Sequence, residues 1–328
     1  MVDVSTSISP ATVTDNLFLG SWVPGSEFPV PSFRNQGPGT KDQGPRTKDQ
    51  GPSTKHQAPD TKHQAPSTNP CIHMTSDALI ILLSRAPGET EIKTRLARCC
   101  SESQRRQLLH AFVVDTLGTL RTVKEQTSAD FWLCLSSPWP KNGVFSGELP
   151  TFALPDWLDE AEILPQVDGD LGHRQAQVIH QALEQGYRRV IIIGSDSPTL
   201  PAAYVTDALS KLTQTDMVVG PSEDGGYYLI GFQHNQTTCL REQIHPFLSN
   251  LPWSTDQIVF SVAKRAQSFG FNLRFLPEHY DVDTCSDLKV MWKELSANPG
   301  AASETWQVVQ ALFEQQVQRR RGIRSKHC

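Results

Sequence analysis

The chain has no apolar run approaching the ~20 residues of a membrane-spanning helix. Its N-terminus lacks the charged and apolar regions of a secretory signal. A cytoplasmic protein with no membrane partner is the expectation. Charge of one sign is also scarce, because 30 Lys+Arg against 35 Asp+Glu leave a formal net charge of -5 over 328 residues. That balance exerts no global pull on nucleic acid, which is therefore not an expected partner, and any phosphate chemistry must rest on a few placed cations. The cysteines, seven in number, are odd in count and lack zinc-type spacing. They argue for a reducing compartment rather than a disulfide framework, with the adjacent Cys99 and Cys100 incidental rather than redox-active.

Apolar side chains are almost missing from residues 36–70, which read as five consecutive seven-residue units: QGPGTKD, QGPRTKD, QGPSTKH, QAPDTKH and QAPSTNP. A proline in each unit removes a backbone donor and blocks helix, and nothing offsets the entropy of ordering. Residues 1–73 are expected to be disordered, with polyproline II character in the repeat. Three copies of the DNA heptamer CAAGGAC translate to Gln-Gly-Pro-Arg-Thr-Lys-Asp, the sequence of residues 43–49. The expected origin is thus a heptanucleotide repeat read into the open frame, with Met74 a plausible start. The proline-rich ligand and the His-bearing metal tract (His56, His63, His73) are the functional alternatives.

From residue 74 to 328 the pattern changes to that of one α/β domain. Residues 78–83 (ALIILL) form a continuous apolar run, as in a strand covered on both faces. Leu108, Leu109, Phe112, Val113, Thr116, Leu117 and Leu120 share a helical stripe within 102–123, with Ser101 available as a cap. Strands are expected at 131–135, 189–194, 217–220, 227–231 and 272–276. Helices are expected at 171–185, 201–212, 257–268, 285–296 and 303–320. Alternation of this kind implies an α/β fold with a mostly parallel sheet flanked by helices, which binds ligands at the carboxyl ends of its strands. The Pro- and Trp-rich stretch 138–157 has no clear period and no assigned role, and the basic run 319–326 reads as a solvated tail.

Several groups could carry chemistry. Arg85, Lys93 and Arg95 follow the first strand, where a guanidinium fork and an ammonium suit phosphate, or where they form an ordinary basic loop. Asp196, after the strand 189–194, either holds a divalent cation or caps the next helix. In Glu223-Asp224-Gly225-Gly226 a hairpin turn competes with close approach of a ligand to the backbone. Asp283 is a cap or a metal ligand, and Gly169-Asp170 receives a nucleotide edge or caps a helix.

These motifs, in this order, resemble those of the rSAM/selenodomain-associated transferases, a GT-A-like group within the nucleotide-diphospho-sugar transferases. The resemblance covers about 78–288 and includes Lys93-Thr94-Arg95-Leu96, Gly169-Asp170-Leu171-Gly172, Gly194-Ser195-Asp196-Ser197-Pro198, the run Glu223 to Gly231, Pro252-Trp253-Ser254-Thr255 and Asp281-Val282-Asp283-Thr284. It implies that Lys93 and Arg95 contact donor phosphates and that Asp196 is the principal ligand of Mg2+ or Mn2+, with Asp283 a second. It also implies that Gly169 and Asp170 hold the nucleotide, and that Asp224, Gly225 and Gly226 face the acceptor. The family's Pro-Gly pair before Lys93 is replaced by Glu89-Thr90, and its Cys or Thr between Asp and Pro is Ser197.

The leading expectation is a metal-dependent glycosyltransferase using a nucleotide sugar and a small-molecule acceptor. Asp196 and Asp224 are its expected catalytic residues. The alternative is a nucleotidyltransferase using a nucleoside triphosphate and releasing pyrophosphate, since the first motif also resembles that of 2-phospho-lactate guanylyltransferases. A noncatalytic nucleotide-binding module is the third reading. The oligomeric state is not legible.

Overall fold

A computed structural model describes residues 76–89, 91–138, 153–159, 162–235 and 238–324. The repeat and the segment 1–73 lie outside the described residues, as does most of 138–157.

Strand β1 (Ala78–Ser84) is followed by a short 3-10 turn (Thr94–Arg98), α1 (Glu102–Thr127), β2 (Asp130–Leu135) and β3 (Ile163–Pro165). Then come α2 (Leu171–Glu184), β4 (Arg189–Gly194), α3 (Ala202–Lys211), β5 (Met217–Pro221) and β6 (Tyr227–Gln233). Helices α4 (Leu240–Leu248) and α5 (Ile258–Phe269), strand β7 (Leu273–Phe275), and helices α6 (Cys285–Ala297) and α7 (Ser303–Arg324) complete it. The sheet order is β3-β2-β1-β4-β6-β5-β7. β6 runs antiparallel to both neighbours and the remaining pairings are parallel.

Alternation within the central strands divides the core between two faces. Leu79 and Ile81 pack with α2, α4 and α5, whereas Ala78, Ile80 and Leu82 pack with α1 and α3. A third apolar cluster joins Leu96, Leu108 and Phe112 to Val282, Leu288, Met291 and Val309, so α6 and α7 close over the far side of α1. Helix entry follows local chemistry: Ser101 and Gln104 form a capping box for α1, and Thr284 and Asp287 form one for α6.

Two elements escaped the sequence pattern. β3 spans three residues, too few to show a period, and α4 contains Pro246, which ordinarily argues against helix. The expectation of unpaired cysteines is overturned, because Cys99 and Cys285 form a disulfide across 186 positions. The compartment inferred from cysteine count therefore loses its basis. No helix among the described residues is long and apolar enough to cross a membrane.

Candidate functional site

The order in which strands are added reverses at β1, which has β2 on one side and β4 on the other, both parallel to it. Such a switch point leaves a crevice beyond the strands' carboxyl ends. Lys93 enters it from the loop after β1, and Asp196 lies just past the end of β4. Asp283 arrives from the segment between β7 and α6. The Lys93 ammonium is 2.7 Å from Asp196 Oδ1 and 3.2 Å from Asp283 Oδ1, and it donates to the Val282 carbonyl at 2.8 Å. Arg95 reaches Asp283 Oδ2 at 3.5 Å. Four residues chosen from three separated segments thus share one site.

The Lys93 side chain is only 5% exposed, while those of Asp196 and Asp283 are 44% and 34% exposed. Burial alone pulls the ammonium below its ordinary value, but the two carboxylates outweigh that and hold it raised, so Lys93 is charged. Its backbone is left-handed, with φ of 44°, a conformation that costs a non-glycine residue about 1 kcal/mol. The ion pairs hold the side chain that this strained residue presents.

The acidic arms are stitched together. Val282 N donates to the Asp196 carbonyl at 2.8 Å, and Ser197 Oγ donates to Asp281. Thr199 Oγ1 donates to Tyr280 Oη at 3.2 Å, while Tyr280 Oη donates to Glu294. Ser84 and Ser195 hydroxyls meet at 2.9 Å, tying the end of β1 to the Asp196 loop. His279, whose Nε2 lies 3.4 Å from Thr199 Oγ1, and Tyr280 carried no signal in the sequence, and Asp281 entered only as part of the Asp281-Val282-Asp283-Thr284 motif. The signal for Asp281 was the Asp-Val-Asp alternation, in which fully buried Val282 faces the core.

Burial pushes the Asp281 carboxyl up to about 6, reinforced by Asp196 and Asp224 and opposed by the Ser197 hydrogen bond and Lys93. The folded state of the ligand-free protein then binds this proton more tightly than the unfolded chain. Its contribution to stability therefore falls as pH rises from about 4 to about 6, by an amount on the order of 3 kcal/mol. Asp281→Asn, which can still accept from Ser197, should remove that dependence. Melting temperatures of both proteins from pH 4 to 7 should show the variant's advantage growing to about pH 6 and then levelling. A constant difference would contradict it.

The remaining residues divide differently. Arg85 turns aside, donating to the Glu91 carbonyl at 2.7 Å and standing 3.6 Å from Glu89. Asp170 caps α2, accepting from His173 N at 2.8 Å, and Gly169 at φ 130° precedes it. Neither Asp196 nor Asp283 is a cap, since the N-cap position of α3 is Pro201, without a side-chain cap, and α6 uses Thr284. Asp224 accepts from Ser222 Oγ at 2.7 Å and Gly226 N at 3.0 Å, closing the β5–β6 turn. Gly225 has φ of 84°, and a Cβ there would lie 2.2 Å from the Asp256 carbonyl, so backbone packing demands glycine. A groove of about 550 Å³, between α1, residues 153–157 and the start of α7, contains none of these residues.

A family profile described as an uncharacterized protein conserved in bacteria matches residues 119–255. No curated protein matches the chain. A crystal structure from Desulfovibrio desulfuricans G20, provisionally named a nucleotide-diphospho-sugar transferase, is 26% identical, with a TM-score of 0.60, covering 73% of this chain and 98% of that one. The chain is related to the nucleotide-diphospho-sugar transferase superfamily. More distant likenesses include 4-diphosphocytidyl-2C-methyl-D-erythritol synthase from Anaerococcus prevotii DSM 20548, at 12% identity and TM-score 0.41, covering 67% of this chain and 100% of that one. A cytidylyltransferase from Leptospira borgpetersenii serovar Hardjo-bovis is 12% identical with TM-score 0.40, covering 75% and 96%.

Within this GT-A-like frame, Asp196 and Asp283 are the carboxylates available to a divalent cation. Among the described residues no group of three or more His, Cys, Asp or Glu side chains is arranged to hold one. A dedicated protein cage is therefore not what the donor set fits. Magnesium is commonly held by one or two carboxylates, with ligand phosphates and water completing its shell, and two partly exposed aspartates suit that pattern.

Proposed function

We propose that this protein is a metal-dependent transferase acting on a nucleotide-activated donor, most simply a GT-A-type glycosyltransferase close to the rSAM/selenodomain-associated group. The single observation that carries the reading is the convergence of Lys93, Arg95, Asp196 and Asp283 at the β1/β4 switch point. An isolated structural salt bridge does not require a second cation, two partly exposed acids and a crevice together.

On this reading Lys93 and Arg95 bind the donor's diphosphate, the ammonium as a buried point charge and the guanidinium as an exposed fork. Asp196 and Asp283 would hold Mg2+ or Mn2+, which when bound would supply charge neutralisation for the departing nucleoside diphosphate. Lys93 already bridges these acids and keeps their mutual repulsion low before ligand arrives. Gly169 and Asp170 border the nucleotide at the start of α2. The Asp224–Gly226 turn borders the small-molecule acceptor, whose hydroxyl attacks the sugar carbon. No protein nucleophile is needed, because positioning and fixed charge lower the barrier.

A melting-temperature screen of nucleotides and nucleotide sugars, with and without Mg2+ or Mn2+, tests the proposal. A ligand present at 100 times its dissociation constant should stabilise the fold by about 2.7 kcal/mol, and the divalent ion should enlarge the shift. No shift with any nucleotide would reject the reading. Release of pyrophosphate from a labelled nucleoside triphosphate would redirect it to nucleotidyl transfer, and metal-independent binding unaffected by Asp196→Ala would redirect it to a noncatalytic module.

A further inference from the structure

The loop leaving β1 brings its own anion to the strand ends. Glu89 Oε1 accepts from Ser136 Oγ, from Ser137 Oγ at 3.2 Å and from Ala86 N at 3.4 Å, while Arg85 stands 3.6 Å from Oε2. Ser136 lies just beyond β2, where its N–H donates to the Ser84 carbonyl at 3.1 Å. Two hydroxyls, a backbone amide and a guanidinium around one carboxylate form a donor set suited equally to a phosphate oxygen. The seat shares its sheet edge with the Lys93 cluster, through the contact between the Ser84 and Ser195 hydroxyls.

The carboxylate is not the only anchor of this loop. Buried Arg106 donates to the Pro87 carbonyl at 2.8 Å, Arg85 to the Glu91 carbonyl at 2.7 Å, and Arg105 to the Ile92 carbonyl at 3.2 Å. Pro87, Glu91 and Ile92, on either side of Glu89, are thus each held without it. The Glu89 side chain is 24% exposed, so solvent reaches it and a rotamer change can vacate the seat.

We propose that Glu89 is an anionic latch that sets ligand affinity: its carboxylate occupies a seat that a phosphate oxygen of the incoming ligand takes once Glu89 swings out. The ligand's identity as a phosphate compound rests on the function proposed above; the latch rests on the donor set. Apparent affinity is reduced by the fraction of molecules in which the seat is open. Weakening the latch therefore tightens binding without adding any contact. That outcome is opposite to what loss of a structural or ligand-binding residue produces.

The test is calorimetric titration of the full chain with pyrophosphate, UDP and GDP. Glu89→Gln keeps the shape and removes the charge, whereas Glu89→Ala empties the seat. Both should bind pyrophosphate roughly tenfold more tightly, and adding Ser136→Ala with Ser137→Ala to the alanine variant should erase the gain. Melting curves establish that each variant is folded, and the isosteric glutamine variant carries the test if the alanine variant is not. Binding by both folded variants equal to or weaker than wild type overturns the latch. Tighter pyrophosphate binding with no nucleotide binding by any form retains the latch and removes the nucleotide reading. Nucleotide binding that neither substitution alters does the reverse.

Discussion

Asp196→Asn is expected to lower turnover at least 100-fold while leaving the fold intact. The asparagine side chain keeps an oxygen near the Lys93 ammonium, now 2.7 Å from Asp196 Oδ1, and Lys93 retains Asp283 and the Val282 carbonyl. The substitution thus removes charge from the proposed cation seat without leaving a buried ammonium unpartnered, the situation that makes breaking a buried pair costly. Asp196→Ala should abolish turnover too, with a larger loss of stability. Preorganised charge at a developing anion is typically worth a factor of roughly 100 to 1,000 in rate. With the donor found by the ligand screen, rates and circular dichroism spectra of both variants should show lost activity on native secondary structure. Wild-type rates in Asp196→Asn would remove this residue from the mechanism.

The second large effect concerns stability. The Cys99–Cys285 bridge closes a loop across 186 positions, and chain-entropy arguments give about 5 kcal/mol for a loop of that length, with measured values more often 2–4 kcal/mol. It joins the end of the 3-10 turn carrying Arg95 to the first residue of α6, beside the Asp283 arm, so it braces two walls of the site. Cys285→Ser should lower the melting temperature by roughly 5–15 °C, given about 2–4 °C per kcal/mol for a domain of this size. Reductant should bring the wild-type protein to the same value and leave the variant unchanged. Equal melting temperatures for oxidised wild type and variant would show that the bridge contributes nothing.

Much of the framework was legible because its signals are local. β1 and β4 are unbroken apolar runs, the α1 stripe has helical spacing, and Ser101 caps where its side chain predicts. Asp224-Gly225 marked a turn, and the structure makes it the connection between antiparallel β5 and β6. β3 and α4 were not legible, one too short for periodicity and the other interrupted by Pro246. The residue types of the site were also visible, but Asp170, Asp196 and Asp283 each carried a cap as an alternative and Asp224 a hairpin turn. Asp170 proved to be a cap, while Asp196 and Asp283 did not.

The sequence by itself determined the α/β class, the order of most elements and a short set of charged residues near strand ends, because periodicity, turn chemistry and capping act over a few neighbours. Tertiary structure alone decided that Lys93 meets Asp283 across 190 positions, that Cys99 meets Cys285, and that Glu89 meets the serine hydroxyls just beyond β2. These contacts depend on strand order and on α6 joining the apolar cluster that also holds α1 and α7. Both are set by the whole core, so no local stretch of sequence encodes them.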